Sequence, residues 1–550
     1  MKKKTFARIG AVVLSVMLLI VLMPATAFAT DKTADKWDGT VDTAWFTGTE
    51  TEYNIDSAAA LAGVSQLAAE NNTFQGITLN LTTDVDLDGL PWTPIENFRG
   101  TFNGNHHKVS NMYVELVQGQ SGFFEYLFQA TVENLTIDQA NVVMTATNSG
   151  FYQGILAGWA QSSAIINCGA SGKLTADISG SDVPCISGFI GSCKQNTRLQ
   201  NCWSLADVTV VNEDLPAMVG GLVGQWENAA DGAAVIDCYF GGSVLVADDE
   251  TSAAGIMGAA LSFNGEVILV RGCVSYGTIT VPETVAENAI HIVALDEDGQ
   301  AQNCLWPDDG KMAVVRLVVD WSTGTASADP NFDEQICGHA VSDFSDPAVL
   351  AELNENAQTE NLWALGISGY PVFASQTNLI RGDYSKVEEA KAKVPADLSL
   401  YSDETVAALQ KVLNGINYDM SIDEQAEIDA LVKPIEDAVA SLVYKDADYS
   451  KVDAAIAKAE SLNKKDYKDF SEVEAAIQAV VRGKDITKQS EVDAMAKAIE
   501  DALANLEVIA VEIPKTGGAT DGLSLWFAVL FLSGGATCLA AAYRKKLRMH

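Results

Sequence analysis

A repeat of about 34 residues constrains this chain more than any other feature. Glycine, two apolar residues and a small residue recur as Gly154-Ile155-Leu156-Ala157, Gly188-Phe189-Ile190-Gly191, Gly221-Leu222-Val223-Gly224 and Gly255-Ile256-Met257-Gly258. Gly122-Phe123-Phe124-Glu125 opens the series with a charged last residue, and the steps are 32, 34, 33 and 34. Each unit carries a second landmark: Asn134-Leu135, Asn167-Cys168, Asn201-Cys202, Asp237-Cys238, Gly272-Cys273 and Asn303-Cys304. Six residues after the cysteine comes a third, Leu174, Val208, Val244 or Ile279, each opening a short β-prone run. No helix-period pattern of useful length lies between these landmarks. A period of this size means stacked supersecondary units. Three brief strands per unit fit one coil of a right-handed parallel β-helix, a solenoid in which each strand pairs with its counterpart in the next coil.

Stacking at ~4.8 Å per coil places Cys168, Cys202, Cys238, Cys273 and Cys304 in one column. The preceding residues form a neighbouring column rich in Asn, whose amides can hydrogen-bond along the stack. Two readings of the thiols stand side by side. Buried cysteine is a small hydrophobe, and parallel stacking points the side chains the same way rather than at one another, which favours a core-filling ladder over disulfides. Cys185 and Cys193 fit either. At the open start of the stack, Asp56 or Ser57 reads as the N-cap of a short amphipathic helix through Leu61, Val64 and Leu67-Ala68. It is expected as a helical lid before a first strand at Ile77–Leu81, covering an edge that would otherwise template aggregation.

Trp37-Asp38-Gly39-Thr40-Val41, Asp84-Val85-Asp86-Leu87-Asp88-Gly89, Trp92-Thr93-Pro94-Ile95 and Phe98-Arg99-Gly100-Thr101-Phe102-Asn103-Gly104-Asn105 together resemble the entry segment of bacterial surface proteins with GLUG repeats. The glycine blocks look like the repeat itself. The resemblance runs from residue 37 to about 373, giving a domain over 30–375, and implies the β-helix fold. It is also similar to the β-helical part found beside some secreted immunoglobulin-A metallopeptidases, but no His-Glu-x-x-His occurs in the sequence. Asp84, Asp86 and Asp88 alternate along one strand face. A Ca²⁺ loop would need Glu at its twelfth position, where Ile95 stands, so a solvated face is the better reading and neither metal nor cofactor is expected.

From Asp383 the composition shifts to Ala, Lys, Asp and Glu. Asp383-Tyr384-Ser385-Lys386-Val387 recurs as Asp448-Tyr449-Ser450-Lys451-Val452, and Ile435-Glu436-Asp437-Ala438 recurs as Ile499-Glu500-Asp501-Ala502. Three amphipathic stretches per unit predict two all-α three-helix bundles, over 383–444 and 448–508. They look like FIVAR modules of Gram-positive surface proteins, and their place suggests a stalk.

The two ends carry processing signals. Lys2-Lys3-Lys4 and Arg8, the apolar stretch Ile9–Met23 and Ala27-Phe28-Ala29 predict a signal peptide over 1–29. Ile513-Pro514-Lys515-Thr516-Gly517, an apolar run expected to span a membrane as a helix over 523–543, and a basic cytoplasmic tail over 544–550 together resemble a cell-wall sorting signal. By that resemblance a sortase cysteine attacks the Thr516 carbonyl and passes the acyl group to peptidoglycan, leaving the protein covalently attached at the cell surface. Pro514 disfavours helix at Ile513, so the motif is presented extended.

A net charge of −38 argues against nucleic acid or anionic lipid as a partner. Catalytic chemistry has little to stand on. Lys173 and Asp207 share a column one coil apart, and His106-His107 are adjacent rather than spaced for a metal. The expected function is therefore an adhesin-like display protein binding glycans or host matrix, with Trp159, Trp203, Trp226 or Trp306 as candidate contacts. The alternative is a polysaccharide lyase or glycoside hydrolase with its site in the segment Leu305–Gln358, which reads as irregular.

Overall fold

The computed structural model describes residues 34–116, 119–146, 152–178, 183–212, 217–248, 251–261, 266–295, 299–320, 325–329 and 332–510. The expectations for 1–29, 513–517, 523–543 and 544–550 lie outside these residues. The chain divides into two compact units, one reaching to Glu388 and including Asn417–Leu431, the other built from Glu389–Ile416 and the residues from Val432 onward.

The first unit is a β-solenoid. Among the described residues its strands form sheets of 13, 9 and 13 members, in which successive coils pair in parallel, and a separate antiparallel pair of Trp363–Leu365 with Pro371–Phe373. Register follows the repeat. Val142 pairs with Leu174, Leu174 with Val208, Val208 with Val244 and Val244 with Ile279. All five are buried, so each column adds about 1.5–3 kcal/mol of burial per side chain before ordering costs. The repeated glycines are demanded by stacking: a Cβ on Gly221 would lie 2.2 Å from the Gly255 carbonyl oxygen, and one on Gly154 would lie 2.4 Å from that of Phe189.

Both side columns form as the spacing implies. Asn134, Asn167, Asn201, Asp237 and Asn303 take φ of 51–54°, the left-handed region that Asn and Asp tolerate, and Gly272 does the same at 63°. That backbone need, rather than amide bonding alone, selects the residue before each cysteine. The amides then join along the axis: Asn134 Nδ2 donates to Asn103 Oδ1 (3.2 Å), Asn167 to Asn134 (3.0 Å) and Asn201 to Asn167 (2.9 Å). Cys168, Cys202, Cys238, Cys273 and Cys304 stand beside this ladder, and all eight described cysteines are free and buried. Each of the five thiols donates back to the carbonyl two residues before it, at 3.2–3.5 Å. Burial pushes the Cys168, Cys193 and Cys238 thiols far above their ordinary range, so they stay protonated.

The N-terminal helix lies in chain order between two strands of the second sheet. Strands Asp35–Lys36 and Glu52–Ile55 precede the helix Ala58–Ala69, which links Glu52–Ile55 to its parallel neighbour Thr78–Leu81. Ser57 is the N-cap, its Oγ accepting from Ala60 N. Eight of the helix's twelve residues are buried, and a Cβ on Gly63 would meet the Asp42 carbonyl oxygen at 1.9 Å. The helix thus belongs to the first coil, whose strands Asp35–Lys36 and Glu52–Ile55 are the terminal members of their sheets.

The segment Leu305–Gln358, expected to be irregular, carries strands Met312–Asp320 and Gly338–Val341 and the helix Pro347–Asn356, N-capped by Asp346. Residues 341–373 lay Phe344, Leu353, Leu362, Trp363 and Phe373 on the outer face of the first sheet against Trp203, Tyr239 and Val274.

In the second unit, Ser450–Glu460, Ser471–Gln478 and Gln489–Ala504 surround a core of Val452, Val473, Val492 and Ile499. Asp403–Asn414 and Val432–Ala440 contribute Leu409 and Ile435, both fully buried. The final helical stretch of the first module is broken into Gln425–Ala430 and Val432–Ala440.

One part of the expected fold class is overturned. Among the described residues no helix is long and apolar enough to cross a membrane. The longest described helix, Gln489–Ala504, has 16 residues and buries only Val492, Ala496, Ile499 and Leu503 along one side. At 1.5 Å per residue it falls short of a ~30 Å hydrocarbon core. The described fold is a β-solenoid with short helical segments, none of which is a membrane span.

Candidate functional site: an aromatic terrace and a roofed groove

The third sheet presents an aromatic terrace. Its strands Phe124–Phe128, Ala157–Gln161, Ile190–Gln195 and Val223–Ala229 lie in parallel register, Tyr126 beside Trp159 and Phe128 beside Gln161. Period-two alternation sends Leu127 and Ala160 inward and leaves Tyr126, Phe128, Trp159 and Gln161 partly exposed. Tyr152 joins them from the neighbouring short strand. Trp159 lies 4.9 Å from Tyr126 and 5.5 Å from Tyr152 between ring centroids. Polar groups surround the rings. Lys194 Nζ stands 4.2 Å from the Trp159 centroid and pairs with Glu227 at 2.6 Å, and Arg99 covers Phe128 at 4.5 Å. Tyr126 donates its hydroxyl to Gln161 Oε1 at 2.8 Å, and partial burial raises its pKa, so it remains a donor.

The corner between the second and first sheets holds a groove of about 470 Å³. Its floor carries Asn134, Asn167, Asn201 and Trp203, and its roof is the distant stretch Thr359–Leu379. Polar contacts tie the preceding strap to the solenoid, among them Asn303 Nδ2 donating to Asn356 Oδ1 (3.3 Å). Gln358 N donates to Asp237 Oδ2 (2.7 Å), Arg198 Nη2 to Gln358 Oε1 (3.0 Å), Asn201 Nδ2 to Thr359 Oγ1 (3.0 Å) and Arg271 Nη2 to the Asn356 carbonyl (3.4 Å). Asp237 interrupts the amide ladder. It has no N–H to offer Asn201, and its Oδ1 faces Gly272, so Asp237 Oδ1 and Asn201 Oδ1 are both buried without a partner. Burial pushes the Asp237 carboxyl up to about 6, although the Gln358 N–H opposes this.

The sequence candidates divide sharply. Of the four tryptophans, Trp226 and Trp306 are core at 0% and 2% exposure, Trp203 is 9% exposed at the groove, and Trp159 stands on the terrace. Lys173 and Asp207 are register partners, but both are exposed and Asp207 accepts from Ser243 Oγ at 2.6 Å. His106 lines the groove, whereas His107 bonds Asp84 at 2.9 Å. Asp86 accepts from Asp88 N and Asn111 Nδ2, and Asp88 pairs with Lys36, so each of the three alternating carboxylates is engaged by protein donors. No group of three potential metal ligands occurs among the described residues. Ile513, Pro514, Lys515, Thr516 and Gly517 lie outside them.

One buried pair escaped sequence reasoning. His291 follows Ile290, the partner of Ala254, and so occupies the column of the repeat glycines. It is 1% exposed, with Nε2 3.0 Å from Asp309 Oδ1, and Lys311 reaches the same carboxylate at 3.1 Å. Burial lowers the His291 pKa; despite its own partial burial, Asp309 is kept below its usual range by bonds from His291 and Lys311. A histidine in a glycine column was the available signal.

No family model matches the chain, and no solved structure matches it. Among curated proteins, halomucin of Haloquadratum walsbyi is 29% identical over 190 residues, a match that covers 30% of this chain and 2% of that protein.

Proposed function

We propose that this protein is a non-catalytic, surface-displayed module that binds glycans through the aromatic terrace. A β-solenoid fits a surface-displayed or adhesin-like role. The observation that carries the glycan reading is the association of Trp159, Tyr126 and Tyr152 with Gln161, Lys194 and Glu227 on one regular sheet face. Sugar rings pack their C–H faces on aromatic side chains, while hydroxyls take hydrogen bonds from flanking polar groups. Parallel strands set such contacts at ~4.8 Å steps, a spacing suited to an extended polymer. The long first-sheet columns make the platform rigid, so little ordering cost is added on binding.

The resemblance of Ile513–Gly517 to a sorting motif supports a further part of this reading, retention by sortase through Thr516 on peptidoglycan at the cell surface. The likeness of the later modules to FIVAR units supports a spacer role.

A glycan array probed with the protein and with Trp159→Ala tests the binding. Wild type should retain one or more polysaccharides and the variant should lose them by at least tenfold, with an unchanged melting temperature. Equal retention by both would remove the terrace from the function. Muramidase, but not detergent, should release the protein from cells, and Thr516→Ala should abolish that wall-linked form.

A further inference from the structure

We propose that the roofed groove is a second binding site, and that it takes an N-acetylated sugar. The groove lies on a different corner of the solenoid from the terrace, and its assignment does not depend on the terrace.

The argument starts from two side chains that line the groove and lack partners. Asn201 is 6% exposed, and its Oδ1 accepts nothing because Asp237 stands where the ladder would supply an amide N–H. Gln376 is 9% exposed; its Oε1 is used twice, by the Tyr239 hydroxyl and Phe373 N at 2.8 Å each, and its Nε2 donates to nothing. Leaving either atom unpaired costs about 1–3 kcal/mol. The site therefore offers one acceptor and one donor. A secondary amide answers both, its N–H turned to Asn201 and its carbonyl to Gln376.

The remaining wall selects among amides. Trp203, Leu205, Leu362 and Phe373 give the groove an apolar side. An acetamido methyl has a place there that a hydroxyl does not, and Trp203 provides an indole for the sugar ring. A peptide backbone suits the site less well. It binds by extending a sheet, yet Ala164–Ile166 in this corner is already paired on both sides, with Thr131–Glu133 and Arg198–Gln200. Asn134, Asn167 and Asn201 are neutral and the charged lining residues Lys108, Asp138 and Glu360 carry both signs, so a neutral ligand is favoured over an anionic one. A volume of about 470 Å³ falls in the range of small-ligand pockets and holds one or two sugar residues. The two free atoms are shielded from solvent, so the Thr359–Leu379 roof shifts as the ligand enters.

Calorimetry with diacetylchitobiose and cellobiose provides a matched test, since the two differ only in acetamide for hydroxyl. The protein should bind the acetylated disaccharide at least tenfold more tightly. Gln376→Glu keeps the doubly used oxygen, removes the donor and should weaken binding at least tenfold. Ser375→Trp, at an exposed position on the groove wall, should block binding while leaving the melting temperature unchanged. Trp159→Ala should bind as wild type, which separates this site from the terrace. Equal affinity for the two disaccharides, no binding of either at millimolar concentration, or full binding by either groove variant would overturn the proposal.

Discussion

The solenoid and the helical unit are held together by opposite means. In the solenoid, stability is repeated and internal: glycine, thiol, aliphatic and amide columns each bond one coil to the next. In the helical unit the core is thin, and much of the polar pairing is on the surface. Lys433 meets Asp437 with side chains 73% and 44% exposed, and Lys497 meets Asp501 at 71% and 61%. Lys451–Asp493, Lys468–Glu507 and Arg482–Asp453 are similarly open. Exposed pairs contribute about 0–1 kcal/mol each and weaken with salt. The contrast separates non-local stacking, which tolerates few changes at its columns, from local helices tuned by many small effects.

The sharpest way to break that contrast is at a glycine column. Gly221→Val drives a side chain into the Gly255 carbonyl and the Phe240 ring and should cost about 3 kcal/mol or more. Thermal unfolding should show the solenoid transition collapsing while the helical transition holds. Next in size is the amide ladder. Asn167→Ala removes bonds to Asn134 and from Asn201 and places a Cβ-bearing residue without side-chain help at φ 52°, so a loss of about 2–3 kcal/mol is expected by urea denaturation.

A titration sharpens the comparison further. The folded state raises the Asp237 pKa to about 6, so it binds the proton more tightly than the unfolded chain does. Its contribution is fully present below the ordinary carboxylate pKa and is lost as pH rises through about 6. The solenoid should gain about 1–2 kcal/mol on acidification from pH 7.5 to 5, and Asp237→Asn should flatten that difference relative to wild type. Arg198, Arg271 and Cys273 lie around this carboxyl, so the variant difference, not the raw profile, is the measurement. The smallest effect belongs to the helices. Raising NaCl from 0.1 to 1 M should lower their midpoint by no more than about 1 kcal/mol and leave the solenoid unmoved.

How much of this was readable beforehand follows from distance along the chain. The columns were legible because identical residues return at a fixed period, and parallel pairing converts period directly into register. The same geometry favoured a ladder of thiols over disulfides without deciding it, and left Cys185 and Cys193 open; all eight described cysteines are free. Trp159 could be named but not distinguished from Trp226, which lies two coils further and inward, because a single tryptophan in a mixed run does not reveal its face. The groove was invisible for another reason: its roof, Thr359–Leu379, reaches back to a ladder more than a hundred residues earlier through contacts such as Gln358 with Asp237. The helix Pro347–Asn356 was hidden in a segment read as irregular, although Asp346-Pro347 is a good N-cap and first-turn pair. The first-coil helix was recognised, but its length alone could not show that Asp35–Lys36 and Glu52–Ile55 would precede it.

The interchangeability of coils has an evolutionary consequence. Cys202 and Cys238 occupy equivalent register positions, and Trp203 pairs forward with Tyr239 in the same register in which it pairs backward with Gly169. An in-frame excision or duplication of one period would rejoin matching registers and leave no mismatched seam. A chain built this way can change length by whole coils while the columns on either side of the change keep their pairing.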